Sequence, residues 1–171
     1  MLVGTTLSMW LVWTVDFVVP GHIGHGIVPR TMYGLTGIVM APFLHASLQH
    51  LLANTIPFVL LGSIILLRGA RPFVFVLVTS ALVSGFGTWL FGMPNTQHIG
   101  ASGVVFGLFG YLLARAVYDR RVSSALIAIV IAVVYGAAFL TSLMPAQGIS
   151  WTGHFFGFLG GVIAARLWHQ R

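Results

Sequence analysis

The sequence predicts an all-α polytopic membrane protein, a bundle of six transmembrane helices with both termini cytoplasmic. Three observations predict it. The 171 residues are 58% hydrophobic and 6% charged, with a mean hydropathy of +1.00, which no soluble globular domain matches. No Asp, Glu, Lys or Arg occurs between Arg30 and Arg68, between Arg71 and Arg115, or between Arg121 and Arg166. Proline- and glycine-containing breaks divide these stretches into pieces close to the ~20 apolar residues that one crossing needs.

The elements follow in order. Segment 2–19 has no basic leader and is long for a signal-peptide core, so it reads as the first span. A longer connection leads to the second span, 48–67. Arg68-Gly69-Ala70-Arg71-Pro72 is a turn with proline at the start of the third span, 72–91. Gly92-Met93-Pro94-Asn95 breaks the chain before the fourth span, 102–118. The fifth, 123–143, ends at Met144-Pro145-Ala146-Gln147-Gly148, and the sixth is 152–168. No soluble domain interrupts them, so residues 1–171 read as a single membrane domain.

The arginines set the orientation. Arg68, Arg71, Arg115, Arg120, Arg121, Arg166 and Arg171 fall on one side of such a bundle, and only Arg30 on the other. Seven against one places the first side, with both termini, in the cytoplasm. The second, fourth and sixth spans then all begin at the outer face. Their heads carry the unusual polar residues: His45, His50 and Asn54, then Ser102, then His154. Polar groups within a membrane are costly and mark function.

Composition narrows the chemistry. The carboxylates are Asp16 and Asp119, expected at opposite ends of the bilayer, so paired-acid catalysis is excluded. Glu is absent, which removes a His-Glu-x-x-His zinc helix, and Cys is absent, which removes thiol catalysis and disulfides. His22, His25 and His98 lie in connections with no evident third ligand, so no metal is expected. The net charge of +6 sits at loop ends rather than in a patch, which argues against nucleic acid as a partner.

Hydroxyls and imidazoles remain. Ser102 as nucleophile and His154 as general base form a dyad without a carboxylate. The Ser102 backbone N–H and the side chains of His50 and Asn54 are candidate oxyanion donors. Gly103-x-x-x-Gly107 and Gly153-x-x-x-Gly157 are close-packing spacings that let the two helices approach. Phe106, four residues after Ser102, shares its face and is placed to pack on the imidazole. Each piece has a structural alternative: the glycines pack under any reading, Asn54 suits an interhelical hydrogen bond, and His45 suits a cap or loop contact.

Jointly, His45-Ala46-Ser47-Leu48-Gln49-His50-Leu51-Leu52-Ala53-Asn54, Gly100-Ala101-Ser102-Gly103 and Gly153-His154 with Gly157 resemble the rhomboid intramembrane serine proteases. The resemblance runs from about residue 34 to 166. It implies a minimal prokaryotic-type six-helix form in the plasma or inner membrane, with the active site towards the outer face. It implies catalysis by Ser102 and His154, oxyanion binding by His50 and Asn54, and support from His45 and Gly100. It implies no cofactor, the lipid bilayer as surroundings, and transmembrane or membrane-anchored proteins as substrates. The fifth span and the loop at 144–150 would form a gate and cap, and the connection 20–42 a membrane-associated loop. Phe106 stands where many members have Tyr, and the first loop lacks the family's common Trp-Arg pair. The alternatives are a non-catalytic rhomboid-like protein that binds membrane clients and a small proton conductor.

Overall fold

The computed structural model describes residues 1–19, 24–146 and 148–170, and these form seven α-helices. They are α1 (Leu2–Val18), α2 (Met32–Met40), α3 (Leu48–Leu66), α4 (Ala70–Phe91), α5 (Ser102–Asp119), α6 (Val122–Ser142) and α7 (Trp151–His169). A 3₁₀ turn, Ala41–Phe43, follows α2. One isolated bridge, Ile27 to His98, is the extended pairing found among the described residues. Helices α3, α4 and α6 are long and apolar enough to cross a membrane by length and composition.

Local chemistry sets the helix starts. The Thr31 hydroxyl accepts the Gly34 N–H at 2.9 Å and opens α2. The Ser47 hydroxyl accepts the His50 N–H at 3.1 Å and opens α3. Gly69, at φ +119°, makes the sharp reversal into α4. Ser150 caps α7 through the Gly153 N–H.

Helix α2 corrects the reading of the first connection as loop. Gly34 and Gly37 are poor helix formers, but their missing side chains admit a second strand of backbone. A Cβ on Gly34 would strike the Val28 carbonyl, and one on Gly37 the Gly26 carbonyl. The connection is fastened to the end of α4 as well. Arg30 donates to the carbonyls of Leu90 (2.8 Å) and Gly92 (3.0 Å), and the Trp89 indole donates to the Thr31 carbonyl at 2.8 Å.

At the centre, α5 lies against α7, and α4 packs on both. Lipid tails are as apolar as leucine, so helices in a membrane associate by close contact rather than by escape from water. Glycine supplies that contact here. A Cβ on Gly157 would collide with the Gly103 carbonyl, and one on Gly161 with the Gly107 carbonyl. Conversely, a Cβ on Gly107 would sit 3.0 Å from the Gly157 carbonyl and inside the Ser80 side chain. The two backbones therefore interlock along two successive turns. The Ser84 hydroxyl joins α4 to this pair by donating to the Gly153 carbonyl at 2.8 Å.

The far end of α5 is tied by charge. Asp119 Oδ2 accepts from Arg68 (2.9 Å), Arg115 (2.6 Å) and the Ser124 hydroxyl (3.1 Å), joining the ends of α3 and α5 to the start of α6. Arg115 also donates to the Tyr111 hydroxyl. By contrast α6 is sparsely covered: Leu126, Ile129, Val130, Val133 and Val134 are exposed, as a lipid-facing surface requires.

Candidate active site

Ser102 is the first residue of α5 and His154 lies in the first turn of α7. The glycine interlock brings these two helix heads side by side. Ser102 Oγ and His154 Nε2 are 2.9 Å apart, a hydrogen-bonding distance. The other ring nitrogen of His154, Nδ1, lies 2.9 Å from the carbonyl oxygen of Ser142, the last residue of α6. The Phe106 ring stacks on the imidazole, with centroids 4.2 Å apart and planes 4° from parallel. Phe106 in turn meets Phe139 of α6 at 4.9 Å.

Gly100 explains how α5 begins. Its φ of +110° suits glycine alone, and its N–H donates to the Ala41 carbonyl at 2.8 Å. A Cβ there would lie 2.6 Å from His50 Nε2 and 3.5 Å from Asn54 Nδ2. Both α3 side chains thus converge on Gly100, two residues before Ser102. The Asn54 amide donates one N–H to the His50 carbonyl at 3.1 Å, which orients the group within its own helix rather than towards a neighbour.

His45 sits before α3 and is buried. Its Nδ1–H donates to the Phe43 carbonyl at 3.2 Å, and its Nε2 accepts the Ala101 N–H at a long 3.5 Å. Its ring stands edge-on to that of His50, with centroids 5.1 Å apart. Burial, reinforced by the neighbouring His50 charge, pushes its pKa down to about 4. His45 is therefore a neutral strut beneath the turn that presents Ser102.

Two participants escape sequence reasoning. The Ser142 carbonyl does so because a backbone acceptor leaves no mark in composition. His98 reads as a loop residue, but it links two elements of the site. The Thr96 hydroxyl donates to the Met93 carbonyl at 2.5 Å and accepts from His98 Nε2 at 2.9 Å. The Ser150 hydroxyl then donates to His98 Nδ1 at 2.7 Å while capping α7. Burial lowers the His98 pKa, which favours this neutral form. His98 thereby locks the loop before α5 to the start of the helix that carries His154. No group of three or more metal-ligating side chains exists among the described residues. His22 lies outside those residues, and the His25 ring packs on Tyr33, with centroids 3.6 Å apart.

Residues 32–171 match the sequence model of the Rhomboid domain. The chain belongs to the rhomboid family. This rhomboid is 40% identical over 151 residues to the uncharacterized protein Rv1337 of Mycobacterium tuberculosis, covering 84% of the chain and 63% of the relative. It is 32% identical over 116 residues to the rhomboid protease GlpG of Klebsiella pneumoniae, covering 67% of the chain and 37% of that protein. It is 30% identical over 126 residues to RHOMBOID-like protein 4 of Arabidopsis thaliana, covering 71% of the chain and 31% of that protein. The chain thus spans 63% of the length of three mycobacterial relatives and 56% of that of a fourth. Family membership and the three long apolar helices make it a multi-pass membrane protein.

Proposed function

We propose that this chain is an intramembrane serine endopeptidase that cuts transmembrane or membrane-anchored proteins. The observation that carries the reading is the 2.9 Å separation of Ser102 Oγ and His154 Nε2 at adjoining helix heads. A serine hydroxyl is a weak nucleophile until an adjacent base takes its proton. Ser102 Oγ attacks the scissile carbonyl carbon as its proton passes to His154 Nε2, and the carbonyl electron pair moves to oxygen. The tetrahedral intermediate collapses, the C–N bond breaks, and the leaving amine takes the proton from Nε2. Water, deprotonated by the same nitrogen, then hydrolyses the acyl-enzyme, releasing a carboxylic acid and restoring the Ser102 hydroxyl.

The first N–H groups of a helix lack intrahelical partners and carry partial positive charge. The Ser102 N–H is one of these, and with His50 and the second Asn54 N–H it forms the donor set for the oxyanion. Phe106 holds the imidazole plane, and no cofactor or metal enters the reaction. The arginine asymmetry supports a six-span topology in the plasma or inner membrane, with cytoplasmic termini and the dyad beneath the outer surface. Reaction class and nucleophile are tested together with a fluorophosphonate probe. Wild type labels and Ser102→Ala does not; equal labelling of both excludes Ser102 as the nucleophile. A wild type that binds a transmembrane segment without cutting it favours the client-binding alternative.

A further inference from the structure

We infer that the main-chain carbonyl of Ser142, at the end of α6, fixes the tautomer of His154 and so takes the orienting place that a carboxylate holds in a Ser-His-Asp triad. This rests on the proposed protease reading. A carbonyl oxygen only accepts hydrogen bonds. At 2.9 Å it therefore requires the proton on Nδ1, which leaves the Nε2 lone pair facing Ser102 Oγ. The opposite tautomer would place two lone pairs together at Nδ1 and O, and would give Nε2 a proton where an acceptor is needed. When Nε2 gains the Ser102 proton, the imidazolium keeps its Nδ1–H bond to a partial negative charge.

The sequence makes that carbonyl available. An α-helix leaves its last four carbonyls without intrahelical partners. Ser142 would pair with the N–H of Ala146 if α6 continued, but Pro145 restricts Met144 to extended backbone and stops it. The last turn tightens instead, with Met144 N–H on the Thr141 carbonyl at 3.1 Å. The Ser142 hydroxyl turns back to the Ala138 carbonyl at 2.7 Å, so the side chain leaves the carbonyl clear for His154. Asp119 is not placed to do this work: it is committed to Arg68, Arg115 and Ser124 at the other end of α5. Phe139, three residues before Ser142, braces this end of α6 against Phe106, the ring that stacks on His154. The position of α6 and the protonation geometry of the dyad are thus one arrangement.

The test uses the full chain, labelled with ¹⁵N-histidine and held above the titration range of imidazole, with His154 assigned by difference against His154→Asn. The expected spectrum has a pyrrole-type Nδ1 and a pyridine-type Nε2 at His154. Replacing Leu143 by its α-hydroxy acid turns the Ser142 carbonyl into an ester, a weaker acceptor. That change is expected to populate the second tautomer and to lower kcat about tenfold with KM unchanged. The same substitution at Met144 removes one N–H from the same turn but spares the Ser142 carbonyl, and should leave the His154 spectrum as in wild type. A wild-type His154 that carries its proton on Nε2 overturns the inference without any variant. So does an ester at 143 that changes neither spectrum nor kcat. Failure of Ser102 to react with a fluorophosphonate removes the protease reading instead, and leaves the tautomer assignment supported if Nδ1 holds the proton.

Discussion

At the scale of single residues, the head of α5 depends on a glycine. Gly100 adopts φ +110° and leaves no room for a Cβ beside His50 Nε2. Gly100→Ala should push the His50 ring and the head of α5 apart by about 1 Å and lower kcat/KM about 100-fold, because misplacement of that size is enough to spoil an attack geometry. Cleavage kinetics in proteoliposomes check it. His45 makes a prediction in pH. Its pKa falls from 6.5 free to about 4 folded, so in that window the unfolded chain binds the proton that the native chain refuses. Stability from this group is present in full above pH 6.5 and is lost as the pH falls to about 4. His98, also lowered by burial, acts in the same sense. Thermal unfolding in bicelles should therefore show a midpoint that drops across this window, and His45→Gln should flatten the drop. A wild-type midpoint that rises on acidification contradicts the burial of a neutral imidazole.

At the scale of helices, the close pair α5 and α7 is built from glycines that touch backbone, whereas α6 is built to meet lipid. Gly157→Ala forces a methyl against the Gly103 carbonyl, and overpacking of this kind costs about 1–3 kcal/mol. Gly136→Ala in α6 meets nothing within 4 Å, and should be neutral or stabilising by up to about 1 kcal/mol. Unfolding free energies of the two variants measured side by side distinguish a packed glycine from a spare one. The same contrast explains what the sequence revealed. Ser102, His154 and the ridge of Gly103, Gly107, Gly153 and Gly157 were legible because their spacing has meaning before any fold is known. Phe106 was legible as a residue one turn from Ser102. Helix α2 was not, because Gly34 and Gly37 weaken its helical signal and are explained only by the backbone of residues 26–28 lying across them. Nor was the Ser142 carbonyl, since Pro145 marks where α6 stops but not what its last carbonyl meets.

At the scale of the whole molecule, apolar runs bounded by Arg, Pro and Gly sufficed to locate six of the seven described α-helices, three of which are long and apolar enough to cross a membrane. What joins them was hidden in distant pairings: Arg30 with the end of α4, His98 with Ser150, and Asp119 with Arg68 and Ser124. The sidedness inferred from arginine has a direct check, helped by a chain without native cysteine. A single cysteine at Asn95, beside the dyad end, should react with an impermeant maleimide in intact cells. One at Arg120, at the opposite end, should react only after permeabilisation. The reverse pattern would place the dyad towards the cytoplasm.

The most direct measurement sets wild type and Ser102→Ala together in liposomes with one transmembrane substrate and follows the cleaved fragment. Wild type should release the fragment, and the variant, folded to the same unfolding midpoint, should release none above the uncatalysed background. Equal cleavage by both proteins, or none by wild type on any membrane-anchored segment, would contradict a hydroxyl and an imidazole working as a proteolytic pair.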